Sequence, residues 1–233
     1  MVDTAKRAAA AAALTMVEDG MVLGLGTGST AAIFVDLLGA RMRDEGLSVV
    51  GVPTSLATAA QAGALGVPLA DLGAVGGLDM TVDGADEVDP ALCLIKGAGG
   101  ALLCEKIVAA ASERMVVIAD PSKEVATLGA FALPVEIVRF GAEATERRIA
   151  EVLERADVDA RTMLRRRGDG GVYITDEGHE IVDLHLGRIG DPAALEAALA
   201  RVPGVVESGL FVGMADTVVI GRPDGSTDIR HCA

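Results

Sequence analysis

Short apolar runs recur along the first half of the chain, and each one stops at glycine, hydroxyl-bearing or charged residues. Runs this short are typical of buried strands, and the longer stretches with helical spacing between several of them suit crossover helices. We predict strands at 21–25, 49–52, 67–72, 78–82, 92–95 and 115–119, and helices at 4–17, 31–38, 56–65 and 101–111. This alternation predicts an α/β fold with a Rossmann-like, doubly wound and mostly parallel sheet.

The pattern changes near residue 131. We predict strands at 135–138, 162–166, 172–175 and 181–186, with helices at 142–156 and 192–201. This β-α-β-β-α order is typical of a small α+β domain of the ferredoxin-like kind. Strands at 205–211 and 217–220 are expected to return to the first domain. The predicted domains are therefore a Rossmann-like one at 1–130 with 208–233, and a smaller one at 131–207.

A glycine turn rich in hydroxyls follows the first strand. Residues 26–30, GTGST, join that strand to a helix, an order in which backbone amides and a helix N-terminus bind phosphate. The turn has neither the GxGxxG spacing of dinucleotide-binding loops nor a Walker A lysine, so a smaller phosphorylated ligand is favoured over a nucleotide. In the alternative interpretation, Ser29 or Thr30 only caps the helix.

A second glycine turn carries the central candidate chemistry. Lys96 stands at the exit of the strand at 92–95, and glycines at 97, 99 and 100 allow backbone N–H groups to approach an anion. Glu105 follows in the first or second turn of the next helix, where the helix dipole favours a carboxylate that can accept a proton. The alternative is an ordinary glycine turn followed by an exposed glutamate.

Charged residues also end two other strands. Asp83 and Asp86 lack the spacing of an EF-hand loop, so no metal site is expected, and a solvated acidic turn is the alternative. Lys123 follows the strand at 115–119. Ligands of open parallel sheets bind beyond the carboxyl ends of the strands. We expect these side chains to converge there with those of the two glycine turns.

Composition narrows the classes of partner. The 233 residues carry a net charge of −14, which argues against a nucleic-acid surface, because phosphate backbones attract clusters of Lys and Arg. The one basic run, Arg165–Arg167, is interpreted as a solvated strand end. Three cysteines without CxxC spacing argue against a disulfide framework or zinc site and favour the cytoplasm. The alanine-rich start predicts a first helix rather than a signal peptide, and no apolar run approaches the roughly 20 residues of a membrane helix.

Four motifs in this order resemble one known family: GTGST at 26–30, DGADEVD at 83–89, KGAGG at 96–100 with Glu105 beyond it, and ADPSK at 119–123. They are similar to those of ribose 5-phosphate isomerases of the A type, and the resemblance extends to LPVEI at 133–137 and GVVESGLF at 204–211. It implies interconversion of ribose 5-phosphate and ribulose 5-phosphate without metal or cofactor. It also implies a Rossmann-like domain with an added small α+β domain, assembled as a homodimer or homotetramer.

The resemblance implies roles for single residues. Glu105 corresponds to the base that moves the carbon-bound proton. Lys96 is expected at the enediolate oxygen, Asp83 in moving hydroxyl protons, and Asp86 in positioning a hydroxyl. Substrate contacts are expected from Lys6, Thr27, Gly28, Ser29, Thr30, Asp83, Gly84, Ala85, Asp86, Lys96, Gly97, Ala98, Gly99 and Lys123. Two positions depart from the family: Ala98 replaces a glycine of some members, and Cys104 replaces a common arginine beside the base.

Other classes of function remain open at this point. An amino-sugar-phosphate deaminase or a lactonase on a related fold should need a catalytic histidine, and no histidine lies in the four motifs. A sugar-phosphate sensor should carry a DNA-binding helix-turn-helix, which an acidic chain with one N-terminal helix does not favour. A purely structural protein would have no need of Asp83, Lys96 and Glu105 at strand exits.

Overall fold

The computed structural model describes residues 2–168 and 170–232. The helices are α1 (Val2–Leu14), α2 (Ser29–Glu45), α3 (Leu56–Ala64), α4 (Leu102–Ala110), α5 (Ala142–Leu153) and α6 (Pro192–Leu199), with 3-10 turns at Leu72–Ala74 and Pro121–Lys123. The strands are β1 (Val22–Leu25), β2 (Val50–Pro53), β3 (Met80–Asp83), β4 (Glu87–Val88), β5 (Leu94–Ile95), β6 (Met115–Ala119), β7 (Leu133–Ile137), β8 (Thr162–Arg165), β9 (Arg167–Gly168), β10 (Gly171–Val172), β11 (Glu180–His185), β12 (Val205–Ser208), β13 (Leu210–Phe211), β14 (Thr217–Gly221) and β15 (Thr227–His231). None of the helices in this part of the chain is long and apolar enough to cross a membrane.

The chain packs as two compact units. The first comprises Met1–Ala85, Cys104–Glu124 and Gly213–Ala233, and the second comprises Asp86–Leu103 and Val125–Val212. The domain boundaries predicted from the sequence are boundaries between independently folding segments. They stay a prediction.

The first unit contains a six-stranded sheet in the order β15-β14-β6-β3-β1-β2. All neighbouring strands are parallel except the β14–β15 pair. From β1 the chain passes through α2 to β2 on one side, and then through α3 to β3 on the other side of β1. The strand order therefore reverses between β1 and β3, and in open α/β sheets ligands bind at the carboxyl edge beside such a point. The predicted doubly wound parallel sheet is confirmed.

Small residues let the helices of this unit approach the sheet closely. Leu23, Met80 and Ile118 of the strands are fully buried together with Phe34 of α2. Strands buried on both faces consist of continuous apolar runs, which explains the pattern in the sequence. At Gly221 an added Cβ would lie 1.9 Å from a backbone oxygen of α1, so the alanine-rich helix packs directly on β14.

The second unit contains a four-stranded antiparallel sheet in the order β12-β7-β11-β8. With α5 and α6 its elements follow a β-α-β-β-α-β order, which is the ferredoxin-like arrangement that the sequence predicts. Alternate residues of β7, including Val135 and Ile137, enter a core shared with Ile149 of α5 and Leu195 of α6. The helices therefore cover one face of this sheet.

The strand predicted at 92–95 does not join the parallel sheet. It is β5, the middle strand of a small antiparallel sheet in the order β13-β5-β4 within the second unit. A parallel neighbour needs a crossover of about a dozen residues or more, whereas only a tight turn separates β4 from β5. The Asp89 carboxylate accepts hydrogen bonds from the amides of Ala91 and Cys93 in that turn, and Leu92 has a φ of 60°.

The strand predicted at 205–211 is two strands, and neither returns to the first unit. β12 pairs with β7 and β13 pairs with β5. Gly209 separates them, with its N–H donating to Pro134 O and its carbonyl accepting from Lys96 N. A Cβ at Gly209 would lie 2.2 Å from the Lys96 carbonyl oxygen, so glycine is required there. Of the strands predicted to return to the first domain, β14 alone joins the first unit's sheet.

The strand predicted at 67–72 is a single bridge between Gly51 and Leu69.

A buried carboxylate lies on the other face of the second unit's sheet. Glu136 of β7 is fully buried, and its Oε1 accepts hydrogen bonds from Thr175 Oγ1 at 3.0 Å and lies 2.9 Å from His179 Nδ1. Burial raises the pKa of this carboxyl above its ordinary value of 4.5, and the bonds to His179 and Thr175 oppose the rise. Because the folded state binds this proton more tightly than the unfolded state, stability is lost as the pH rises from 4.5 through the folded pKa.

We expect Glu136→Gln to raise the melting temperature more at about pH 8 than at about pH 5.5, because the wild-type protein loses stability as the pH rises through the raised pKa of the buried carboxyl, whereas glutamine does not titrate. Thermal unfolding of both proteins at the two pH values measures the difference. The exposed Glu154 provides the control, since Glu154→Gln should shift the melting temperature equally at both. A larger gain for Glu136→Gln at the lower pH would contradict the assigned direction.

Candidate active site

Three of the predicted segments meet at one edge of the first unit's sheet. Residues 26–30 follow β1, residues 83–85 end β3, and the turn Pro121–Lys123 follows β6. These strands are parallel and adjacent in the order β6-β3-β1, so their carboxyl ends lie side by side. The structure therefore brings together the first unit's share of the predicted site.

Asp83 lies at the point where the strand order reverses. Its side chain is fully buried, and Oδ1 accepts hydrogen bonds from Thr27 N at 3.1 Å and Gly84 N at 2.7 Å. Hydrogen bonds from backbone amides to a carboxylate are charge-assisted, and they hold the carboxylate in a fixed orientation. The predicted alternative of a solvated acidic turn is wrong for this residue.

A cluster of hydroxyls fixes the Thr27 side chain. Thr27 Oγ1 lies 2.8 Å from Thr54 Oγ1, 2.8 Å from Ser55 Oγ and 3.2 Å from Thr58 Oγ1. Thr54 and Thr58 are also tied to backbone carbonyls at the end of β1, those of Leu25 and Gly26. These three hydroxyls were not among the predicted site residues. Their signal was available, because the sequence PTS directly follows the strand that pairs with β1.

The N-terminus of α2 faces the same loop. Gly28 is its N-cap residue, with a φ of 106° and no side-chain cap, so neither Ser29 nor Thr30 acts as the N-cap. Lys6 of α1 lies beside it, with Nζ donating a hydrogen bond to Ser29 Oγ at 2.8 Å. An ammonium group next to a helix N-terminus creates a positive environment that suits an anion such as phosphate.

Glu105 is buried rather than exposed. It is the fourth residue of α4 and has a relative exposure of only 4 %. Val108, one turn further along, packs with Val52 and Leu78 of the first unit and fixes the helix there. Lys123 is half-buried at the end of the turn that Asp120 begins, where the Asp120 carboxylate accepts from Ser122 N and Oγ.

The other predicted glycine turn, residues 97–100, lies in the second unit. Lys96 leaves β5 with a relative exposure of 2 %, and its Nζ lies 5.5 Å from the centroid of the Phe211 ring. At this distance a cation is attracted to the face of the ring. Gly97 and Gly100 have φ values of 108° and 79°, which a residue with a side chain rarely adopts.

Asp86 fastens this turn to the β4–β5 hairpin. Its Oδ2 accepts a hydrogen bond from Ala98 N at 2.8 Å, and its own N–H donates to Ile95 O at 2.8 Å. Gly100 N donates to Gly97 O across the turn. The methyl group of Ala98 is exposed, so the departure from glycine at this position leaves the turn closed. The roles assigned to these residues from the sequence stay predictions.

No group of three or more His, Cys, Asp or Glu side chains in the described part of the chain is arranged to hold a metal ion.

Arg166 is an unexpected neighbour of the second glycine turn. It donates hydrogen bonds to Gly97 O and Ala98 O, so the interpretation of Arg165–Arg167 as a solvated strand end is wrong for its central residue.

Comparison with known proteins gives consistent results. A family model described as ribose 5-phosphate isomerase A (phosphoriboisomerase A) matches residues 50–225. Ribose-5-phosphate isomerase A of Nitrobacter hamburgensis is 57 % identical over 223 residues, which cover 96 % of each chain. Among solved structures, ribose 5-phosphate isomerase from Plasmodium falciparum has a TM-score of 0.92 at 35 % identity and 99 % coverage of each chain. A D-ribose-5-phosphate isomerase in complex with phospho-erythronic acid has a TM-score of 0.91 at 38 % identity and the same 99 % coverage.

Proposed function

The chain belongs to the ribose 5-phosphate isomerase A family, and on that premise we propose that Glu105 is the base with which it interconverts D-ribose 5-phosphate and D-ribulose 5-phosphate. This aldose–ketose isomerisation moves a proton between C2 and C1 through an enediolate. Such a reaction requires a base at carbon and donors at the oxygen that becomes negative.

The buried position of Glu105 carries this proposal. A carboxylate with 4 % exposure on a rigid helix is shielded from bulk water, so a proton taken from C2 can be returned to C1 before it exchanges. The C2–H bond breaks to give the protonated carboxyl and the enediolate, and the carboxyl then gives the proton to C1. The hydroxyl proton moves from the C2 oxygen to the C1 oxygen.

Lys96 and the amides of the second glycine turn are the proposed donors to the enediolate oxygen. Lys96 is nearly fully buried, and an ammonium acts on a developing negative charge more strongly in a water-poor environment. Asp86 holds the Ala98 amide and is proposed to position a substrate hydroxyl as well.

Asp83 is the proposed group for hydroxyl protons, including those that move when the furanose ring opens. Its Oδ1 accepts hydrogen bonds from two amides, and these bonds hold the carboxylate in a fixed orientation at the edge of the sheet. Thr27–Thr30 with Gly84 and Ala85 are proposed to hold sugar hydroxyls or phosphate. Lys123 and Lys6 are proposed to supply positive charge for the phosphate dianion, and the Lys6–Ser29 bond supports a lysine at this loop.

Incubation of the purified protein with ribose 5-phosphate in EDTA tests the function directly. We expect ribulose 5-phosphate to form at the same rate with and without the chelator, because the proposed chemistry uses side chains and amides alone. Glucosamine 6-phosphate should release no ammonia. Loss of turnover in EDTA that added metal restores would overturn the metal-free mechanism.

We further propose a homodimer or homotetramer that works in the cytoplasm. Three cysteines that form no disulfide within the described residues support a reducing compartment. The proposed assembly rests on the family resemblance, and light scattering of the purified protein measures it. A monomeric mass at working concentrations would contradict it.

A further inference from the structure

Arg166 binds the carbonyl side of the second glycine turn. It lies between β8 and β9, and its Nη1 donates to Gly97 O at 2.8 Å and to Ala98 O at 3.3 Å. The same guanidinium forms a two-pronged ion pair with Asp183 of β11, in which Nε lies 2.9 Å from Oδ2. The Arg166 side chain is only 15 % exposed. Arg166 therefore connects β11 to the second glycine turn.

Tyr173 holds the next peptide of the turn. Its hydroxyl donates to Gly99 O at 3.3 Å, and its ring lies 5.9 Å from Arg166 Cζ, within the range of a cation–π contact. A Cβ at Gly100 would lie 2.3 Å from the Tyr173 hydroxyl oxygen, so the turn and the ring are in close contact. Both anchoring residues are fixed by their backbones, since Arg166 N donates to Ile181 O and Tyr173 N to Arg166 O.

Three successive carbonyls of the turn therefore accept hydrogen bonds from the side chains of Arg166 and Tyr173. In a trans peptide the C=O and the following N–H point in opposite directions. Holding the Ala98 carbonyl toward Arg166 thus directs the Gly99 N–H away from it. An amide donor that stabilises a developing oxyanion works only if its direction is set before the reaction.

We propose that Arg166, oriented by Asp183 and packed on Tyr173, is a positioning residue that directs the Gly99 amide of the glycine turn toward the enediolate oxygen. This inference rests on the proposed function of that turn. The planar fork of arginine is needed, because one guanidinium must serve two carbonyls and one carboxylate at once, which the single ammonium of lysine cannot do.

The variant Arg166→Lys tests the proposal. Removal of a single oxyanion donor costs about 100-fold to 1,000-fold in kcat, so a misdirected donor should lower kcat by about 10-fold to 100-fold while KM for ribose 5-phosphate changes less than about threefold. Arg165→Lys is the matched control, because Arg165 pairs with Glu146, Glu143 and Glu180 and not with the turn. It should keep kcat within about twofold of wild type.

Two outcomes overturn the proposal: an unchanged kcat in Arg166→Lys, or an equal loss in both arginine variants. If Arg166→Lys does not fold, Asp183→Asn is the substitute test. Asparagine keeps the shape of Asp183 but removes the charge that holds the Arg166 guanidinium. We expect kcat to fall by about 3-fold to 10-fold at unchanged KM. An unchanged kcat in a folded Asp183→Asn protein also counts against the proposal. Glu105→Gln distinguishes the failure of the two proposals. Normal turnover in Glu105→Gln would contradict Glu105 as the base, whereas an inactive Glu105→Gln beside a fully active Arg166→Lys would contradict only the positioning role of Arg166.

Discussion

Replacement of Glu105 by glutamine is expected to lower kcat by about 100-fold or more, the range that general base catalysis supplies. Glutamine has nearly the same shape but cannot take the C2 proton, so the barrier should rise by about 2.7 kcal/mol or more. Because the substitution is nearly isosteric at a buried position, the melting temperature should change little. Steady-state rates in both directions, with thermal unfolding beside them, measure the effect.

The exposed Glu113, which lies just beyond α4, provides the matched control. Glu113→Gln removes the same charge, and its kcat should stay within about twofold of wild type. Near-normal turnover in a folded Glu105→Gln protein would remove Glu105 from the role of base.

The sequence predicted those parts of the fold that local patterns determine. A parallel strand buried on both faces is an apolar run, and the glycine turn after β1 follows such a run directly. Asp83 could be predicted at the same edge of the sheet as the glycine turn, because β3 runs parallel to β1. The two strands are neighbours at the point where the strand order reverses. Patterning and topology were therefore sufficient to predict that these segments meet at one edge of the first unit's sheet.

Strand pairing in the second unit could not be predicted in the same way. β5 has two residues, and an apolar run that short carries no information about its partners. Its pairing depends on the turn that Asp89 closes and on Gly209, which is remote in sequence and allows β13 to approach. Contacts of this kind follow from the tertiary fold and leave no periodic signal.

The contact of Arg166 with the glycine turn was not predicted, for a related reason. Arg165, Arg166 and Arg167 are indistinguishable in composition, yet side chains alternate between the two sides of a strand. Arg165 pairs with the acids of α5, whereas Arg166 reaches the glycine turn. Which arginine faces which side depends on the register with β11, and register was not available from the sequence.

Replacement of Gly26 by alanine should have the largest combined effect on stability and activity. A Cβ at this position would lie 2.1 Å from Asp83 Oδ1 and 2.6 Å from Asp83 Cα. The clash involves backbone as well as side chain, so β1 and β3 must separate at the point where the strand order reverses. Overpacking of a close contact costs about 1–3 kcal/mol or more in the free energy of unfolding. A displacement of Asp83 by about 1 Å should lower kcat/KM by about 100-fold.

Gly63 in α3 supplies the control for this substitution. It is exposed, and a Cβ there would meet no atom within 4 Å. Gly63 is the next-to-last residue of α3, so alanine there should raise the free energy of unfolding by at most about 0.5–1 kcal/mol, and the activity should not change. Urea unfolding and ribose 5-phosphate turnover of both variants make the comparison. The close packing of β1 against Asp83 predicts that the two substitutions change the free energy of unfolding in opposite directions. A Gly26→Ala protein as stable and active as Gly63→Ala would show that the loop after β1 can move without disturbing Asp83.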